Sequence, residues 1–234
     1  MGDIGFNTFK EYVQFRMGRL AQGTADGLTT AGSSDLNMYG IWVNQAYRQI
    51  CTNEHLSGLP RRVYIPALET STTATTTDGT AYVSVPSDCL LIRSVYDTTN
   101  NVKLAQIPWR VYISYTDRAT TSAEGDATEW CRSGARIYLH PTPQTTGDTM
   151  TIYYKKLVAT LSGTDTTAIP AEWDEPIVQL ATIKGHMWTG DFDKIKPLRE
   201  EFVESVSGIL DIYAQEAVDR DANFAPDSSY LPLR

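Results

Sequence analysis

Carboxylates are the residues of this chain whose spacing comes nearest to a chemical site. Glu172, Asp174 and Glu175 crowd one short stretch, Asp191 stands two residues from Asp193, and Asp219 two residues from Asp221. Close carboxylates can divide general acid from general base, and alternate acids can open a calcium loop. The neighbouring residues favour neither use. The first cluster lies where a helix is expected to begin, and acids are favoured there by the helix dipole alone. The two aspartate pairs lack the glycine and distal glutamate that a calcium loop needs at fixed offsets. Cys51, Cys89 and Cys131 are odd in number, widely spaced and without a C-x-x-C, so they read as buried free thiols of a reducing compartment. His55, His140 and His186 are equally scattered, with no metal-ligand spacing. Arg61-Arg62 and Lys155-Lys156 are short basic pairs of the kind found at solvated strand ends. No nucleophile elbow, Walker loop, dinucleotide fingerprint or Cys–His arrangement is present. We expect no enzyme, no metal and no cofactor.

Composition narrows the alternatives further. At 41% apolar and 21% charged residues, the 234-residue chain is ordinary for a soluble protein and long enough to bury a sizeable core. It has no run of about 18 apolar residues, so no membrane span is expected. The opening MGDIGFNTFKEY has neither a basic region nor an apolar core, and Phe6 stands where a myristoylation signal needs Ser or Thr, so neither a secretory leader nor lipidation is expected. A net charge of −8 argues against gripping nucleic acid, since a basic face supplies most of that affinity. An acidic wall that encloses DNA without holding it remains compatible.

The elements follow from hydrophobic period. Phe9, Val13, Met17 and Leu20 predict a first helix over about 9–20, with Thr8 and Glu11 at capping-box spacing. Residues 23–34 are small and polar and read as a linker. Ser34 or Asp35 can cap a second helix to about His55, with Tyr39, Val43, Ala46, Tyr47 and Ile50 on one face and Gly58 and Pro60 beyond its end. From Arg62 to about Leu157 the period is that of strands. Val63 and Ile65 alternate, Thr70–Thr77 admits strand or loop, and Asp78-Gly79 is a hairpin signal before Ala81, Val83 and Val85. Leu90–Tyr96 is a further strand, and Asn100-Asn101 a turn before Val102–Ala105. The stretch IPWRVYISY at 107–115 fits a short helix and an aromatic strand equally, and 116–128 reads as a long loop. The runs EWCRSGARIYLHP (129–141) and TMTIYYKK (149–156) alternate with period two, and Pro141, Pro143 and Gly147 between them predict that they pair as a looped hairpin.

Near Ile169 the period becomes helical again. A third helix is expected over Asp174–Trp188, with Asp174 as cap and Ile177, Leu180, Ala181, Lys184 and Trp188 on one face, Lys184 being the polar exception. After Thr189-Gly190-Asp191, a fourth helix to about Val218 carries the stripe Leu198, Phe202, Val206, Ile209, Tyr213 and Ala217. The two changes of period predict an α+β fold. Residues 7–57 and 172–218 would form a four-helix bundle, with an antiparallel β-domain over 60–168 inserted and an extended C-terminal tail over 219–234. The expected bundle core is Val43, Tyr47, Ile50, Ile177, Leu180, Leu198, Phe202, Val206, Ile209 and Tyr213. The tail, interrupted by Pro226 and Pro232, nevertheless carries Phe224, Tyr230, Leu231 and Leu233 ahead of Arg234. Apolar groups on a polar tail gain little unless they are buried against something, so a docking arm is one reading and an unpartnered tail the other.

The order helix, helix, β-insert, helix, helix, tail resembles the head-to-tail adaptor, or connector, proteins of tailed bacteriophages. Four features carry the resemblance. They are the Val85-Pro86-Ser87-Asp88 bend before the strand at Leu90, the Trp130–Pro141 hairpin with Gly134 and Ile137-Xaa-Leu139, the Ile152–Lys155 strand, and Ile169-Pro170-Xaa-Xaa-Trp173 leading into a helix. Together they cover about Asp35 to Tyr213. The resemblance implies a structural virion protein that forms a ring of about twelve copies under the portal, extends the DNA channel and anchors a tail or nozzle protein. It implies a portal-facing bundle, a tail-facing β-domain, and a tail docked on the portal through Phe224, Tyr230, Leu231, Leu233 and Arg234. It also implies a place in the virion neck after assembly in the host cytoplasm, genomic DNA enclosed without sequence-specific binding, and no membrane; in such a ring the net charge of −8 per chain would make the lumen negative. One rival is a carbohydrate-binding or tail-fibre β-module, which would suit the Thr and Tyr content and leave the flanking helices unexplained; the other is an enzyme using the acidic clusters.

Overall fold

Period 3.6 at both ends of the chain and period 2 in the middle sort the residues into helices and strands. The computed structural model describes residues 4–18, 38–52, 63–118 and 123–223. Among them the chain is α+β. Its helices are α1 (Phe6–Arg16), α2 (Met38–Thr52), α3 (Trp109–Arg118), α4 (Asp174–Thr189) and α5 (Ile195–Asn223). Its strands are β1 (Glu69–Thr75), β2 (Tyr82–Ser84), β3 (Cys89–Asp97), β4 (Val102–Lys103), β5 (Ala105–Gln106), β6 (Glu129–Ser133), β7 (Arg136–His140) and β8 (Thr149–Lys156). The chain divides into two units, residues 1–65 with 159–234 and residues 66–158.

In the first unit α4 is the central helix. It is buried on nearly every side, polar Gln179, Thr182 and His186 included, and it packs on α1, α2 and α5. Its close approach to α1 and α2 depends on Gly185, where an added Cβ would lie 2.5 Å from Met17 Sδ and 3.0 Å from the Trp42 ring. Gly190 ends the helix at φ 82°, a left-handed conformation natural to glycine. Polar ties hold segments far apart in sequence. Asn44 on α2 donates to and accepts from the backbone of Leu161, at 3.0 and 2.8 Å, and the Tyr47 hydroxyl accepts from the Ala168 N–H at 2.9 Å. Burial pushes the Tyr47 phenol up to about 12.

α1 begins at Phe6, because the Phe6 N–H donates to Asp165 O (2.8 Å) and Gly5 bridges Thr166. Thr8 therefore lies inside the helix and caps nothing. Val63 and Ile65 are buried and Tyr64 is exposed, but they form no strand and belong to the helical unit. α5 runs to Asn223, so 219–223 continue the helix where a tail was expected. The expected linker at 23–34, the cap at Ser34 or Asp35 and the stop at Gly58-Pro60 lie outside the described residues.

The second unit consists of two four-stranded sheets, ordered β1-β8-β3-β4 and β2-β7-β6-β5. All pairs are antiparallel except β5 with β6. One core draws on both sheets, with Val95, Ile137, Leu139, Met150 and Ile152 fully buried. The alternations along 136–140 and 150–154 hold. Their expected pairing does not: β7 pairs with β6 and β2, whereas β8 lies in the other sheet between β1 and β3. Asp78-Gly79 is likewise a turn without a hairpin, because β1 and β2 belong to different sheets. Thr76 stabilises the crossing, its hydroxyl donating to Thr145 O and accepting from the Asp148 N–H. The ambiguous 107–115 stretch is resolved as helix from Trp109 onward. That helix extends through Arg118 into the expected 116–128 loop, of which 119–122 lie outside the described residues.

Candidate interaction surfaces

Glu172, Glu175 and Asp191 are structural braces. The Arg16 guanidinium on α1 bridges Glu175 on α4 and Glu201 on α5 (3.1 Å), and Gln179 donates to the same Glu201 oxygen and to Ser205 Oγ. Glu172 accepts a 2.7 Å bond from the Tyr213 hydroxyl, which itself accepts from Trp173 Nε1 at 3.1 Å. Asp174 is buried at the start of α4. Asp191 accepts from Thr189 Oγ1 (3.1 Å) and faces buried His186 Nδ1 (3.4 Å), contacts that hold its carboxyl below the usual range. Among the described residues no three His, Cys, Asp or Glu side chains converge as a bound metal needs. Burial pushes the Cys89 and Cys131 thiols up, away from the reactive thiolate.

Val43, Tyr47, Ile50, Ile177, Leu180, Phe202, Val206 and Ile209 are buried in the helical unit, and Leu198 and Tyr213 are half-buried. Phe224, Tyr230, Leu231, Leu233 and Arg234 lie outside the described residues.

Surfaces that could hold a partner are apolar and lie elsewhere. At the α4–α5 corner Met187, Trp188 and Phe192 are 53%, 57% and 68% exposed, three large apolar side chains within six residues. Trp188 leans on Trp42, ring centroids 5.9 Å apart, so the corner is backed by the core. Tyr12 and Phe15 stand exposed on α1. Single exposed hydrophobes need no explanation, whereas a cluster marks an interaction site. Sequence reading placed Trp188 on the packing face and passed over Phe192. The available signal was the apolar Met187-Trp188 pair directly before a Gly turn.

The β unit carries a different surface. Trp109, Tyr112 and Tyr115, spaced three apart on α3, lie over Tyr138 and His140 on β7. Trp109 is 4.9 Å from Tyr138, and Tyr115 stacks on His140 at 4.5 Å. Tyr82 extends the row, with the Arg136 guanidinium 4.0 Å above its ring. Most of this aromatic area is spent packing α3 on its sheet.

No helix among the described residues is long and apolar enough to cross a membrane. A protein-family model described as SU10 adaptor protein matches residues 8–227. A search of the curated proteins finds no match.

Proposed function

The chain belongs to the SU10 adaptor protein family, a family of bacteriophage structural adaptors, and from that premise we propose that it is a ring-forming component of the virion neck. About twelve copies sit under the portal, prolong the DNA channel and give a tail or nozzle protein its attachment. The four helices of the first unit act as one bundle that meets the portal, with the β unit inserted in it and directed to the tail. Residues 224–234 act as an arm on the portal, where burial of Phe224, Tyr230, Leu231 and Leu233 would stabilise docking. The observation that carries the reading is the span of the family match, which takes in both units. A lone glycan-binding β-module gives no reason for helices that bury their own core.

A closed ring needs two different faces per subunit, and the exposed α4–α5 corner and α1 side chains supply apolar area for them. The chain's net charge of −8 would make the lumen repel phosphate, so that DNA slides without adhering. The test is native mass measurement of the full chain with the portal protein of the same phage, followed by cryo-electron microscopy of the complex. The expected result is a portal-bound ring whose lumen is lined by carboxylates. A chain that stays monomeric beside the portal, or a lumen lined by Lys and Arg, would refute it. Deleting 224–234 should leave both units folded and weaken portal binding.

A further inference from the structure

A cleft of about 240 Å3 opens between α2, α4 and α5. Leu180, Ile183 and Phe202 supply its apolar lining, with Gln49 and Met187, and two cations, half-buried Lys184 and exposed Arg199, also line it. Neither cation has a carboxylate partner among the described residues. Lys184 is half-buried, and burial alone pulls its ammonium below the ordinary lysine value. A cation withdrawn from water without a counter-charge weakens the subunit that carries it, and a carboxylate supplied from outside removes that cost. The cleft's size suits one or two side chains, not a folded ligand.

The same helix presents the complement. Glu200 and Glu204 stand one turn apart on the exposed face of α5, about 6 Å from each other, and also lack a partner among the described residues. The flank of α5 that bears Arg199 and the face that bears Glu200 and Glu204 point in different directions, since adjacent helical residues are rotated about 100°. A subunit cannot fill its own cleft from that face, but a second copy can. We propose that the Lys184–Arg199 cleft receives the Glu200–Glu204 face of α5 from the next copy of this chain, a head-to-tail contact that repeats around a ring. The site rests on the ring reading above and gives it a specific interface. Met187 at the cleft's edge would bring the exposed α4–α5 corner into the same contact.

Charge reversal tests this in the full-length chain, with assembly on the portal followed by native mass measurement. Wild type is measured first: if it forms no ring, the ring reading fails and takes this interface with it. Given a wild-type ring, the pair K184E/R199E and the pair E200K/E204K should each reduce assembly about tenfold or more. An equal mixture of the two variants should restore it as a ring of alternating chains, because every junction then joins opposite charges. K184M supplies a second readout. It should raise the subunit's unfolding midpoint while weakening assembly, whereas a lysine that merely extends to solvent would leave assembly unchanged. Wild-type assembly by both reversed variants would overturn the interface. So would loss of assembly that the mixture does not restore, which would assign the cleft's anion to another protein.

Discussion

The helical unit and the β unit each bury a core, by opposite routes through the chain. The β unit is one continuous stretch, 66–158, and its polar clamps hold turns within it. The helical unit is assembled from both ends, and its ties run from Arg16 to Glu201, from Asn44 to Leu161 and from Tyr47 to Ala168. Side-chain bonds on that scale have no local substitute. The contrast teaches that one unit can be cut out of this sequence and the other cannot.

Excision gives the largest expected effect. Residues 66–158 expressed alone should unfold in one cooperative transition by circular dichroism, whereas 1–65 alone should show none. A folded 1–65 fragment would break the contrast. Phe202→Ala comes next. Phe202 is 4% exposed, and its removal should cost about 3–5 kcal/mol, lowering the helical transition in calorimetry and leaving the β transition in place. Gly185→Ala should cost about 1–3 kcal/mol through overpacking against Met17 and Trp42, read in the same transition. Tyr213→Phe removes the hydroxyl that links Trp173 to Glu172 and should cost about 1–2 kcal/mol in chemical denaturation.

The smallest effect is one of pH. The Asp191 carboxyl is held low in the folded chain by Thr189 and His186, so its contribution is complete above the unfolded carboxylate value of about 4. It is lost as pH falls from there through the lower folded value. Asp191→Asn should therefore separate from wild type in melting temperature at neutral pH and converge on it in strong acid. A constant difference across that range would remove the ionised carboxylate from the account.

What the sequence revealed and what it hid divide along the same physical line. Local signals sufficed for the α+β class, for α4 to within a residue, and for the alternation that buries Ile137, Leu139, Met150 and Ile152, whereas the β6–β7 hairpin about Gly134 entered only through the family resemblance. Pairing between distant strands left no local trace, so β7 and β8 were joined although they lie in separate sheets. The same limit made Asp78-Gly79 a hairpin and put the cap of α1 at Thr8 and its start near Phe9, when contacts of Gly5 and Phe6 with Thr166 and Asp165 decide it. Lys184 was visible as a polar exception on an apolar face, but its companion Arg199 could be found only once α4 and α5 lay side by side.

The split origin of the helical unit also has a consequence during synthesis. α1 and α2 leave the ribosome with Phe9, Val13, Tyr39, Trp42 and Ile50 ready for burial, but Phe202 and Val206 follow roughly 150 residues later. At ~5–20 residues per second that is a wait of roughly 8–30 s, during which the β unit can complete itself while two sticky helices stand open. Nascent chains of this protein should therefore call on a chaperone that holds amphipathic helices, and the demand should end when α5 emerges.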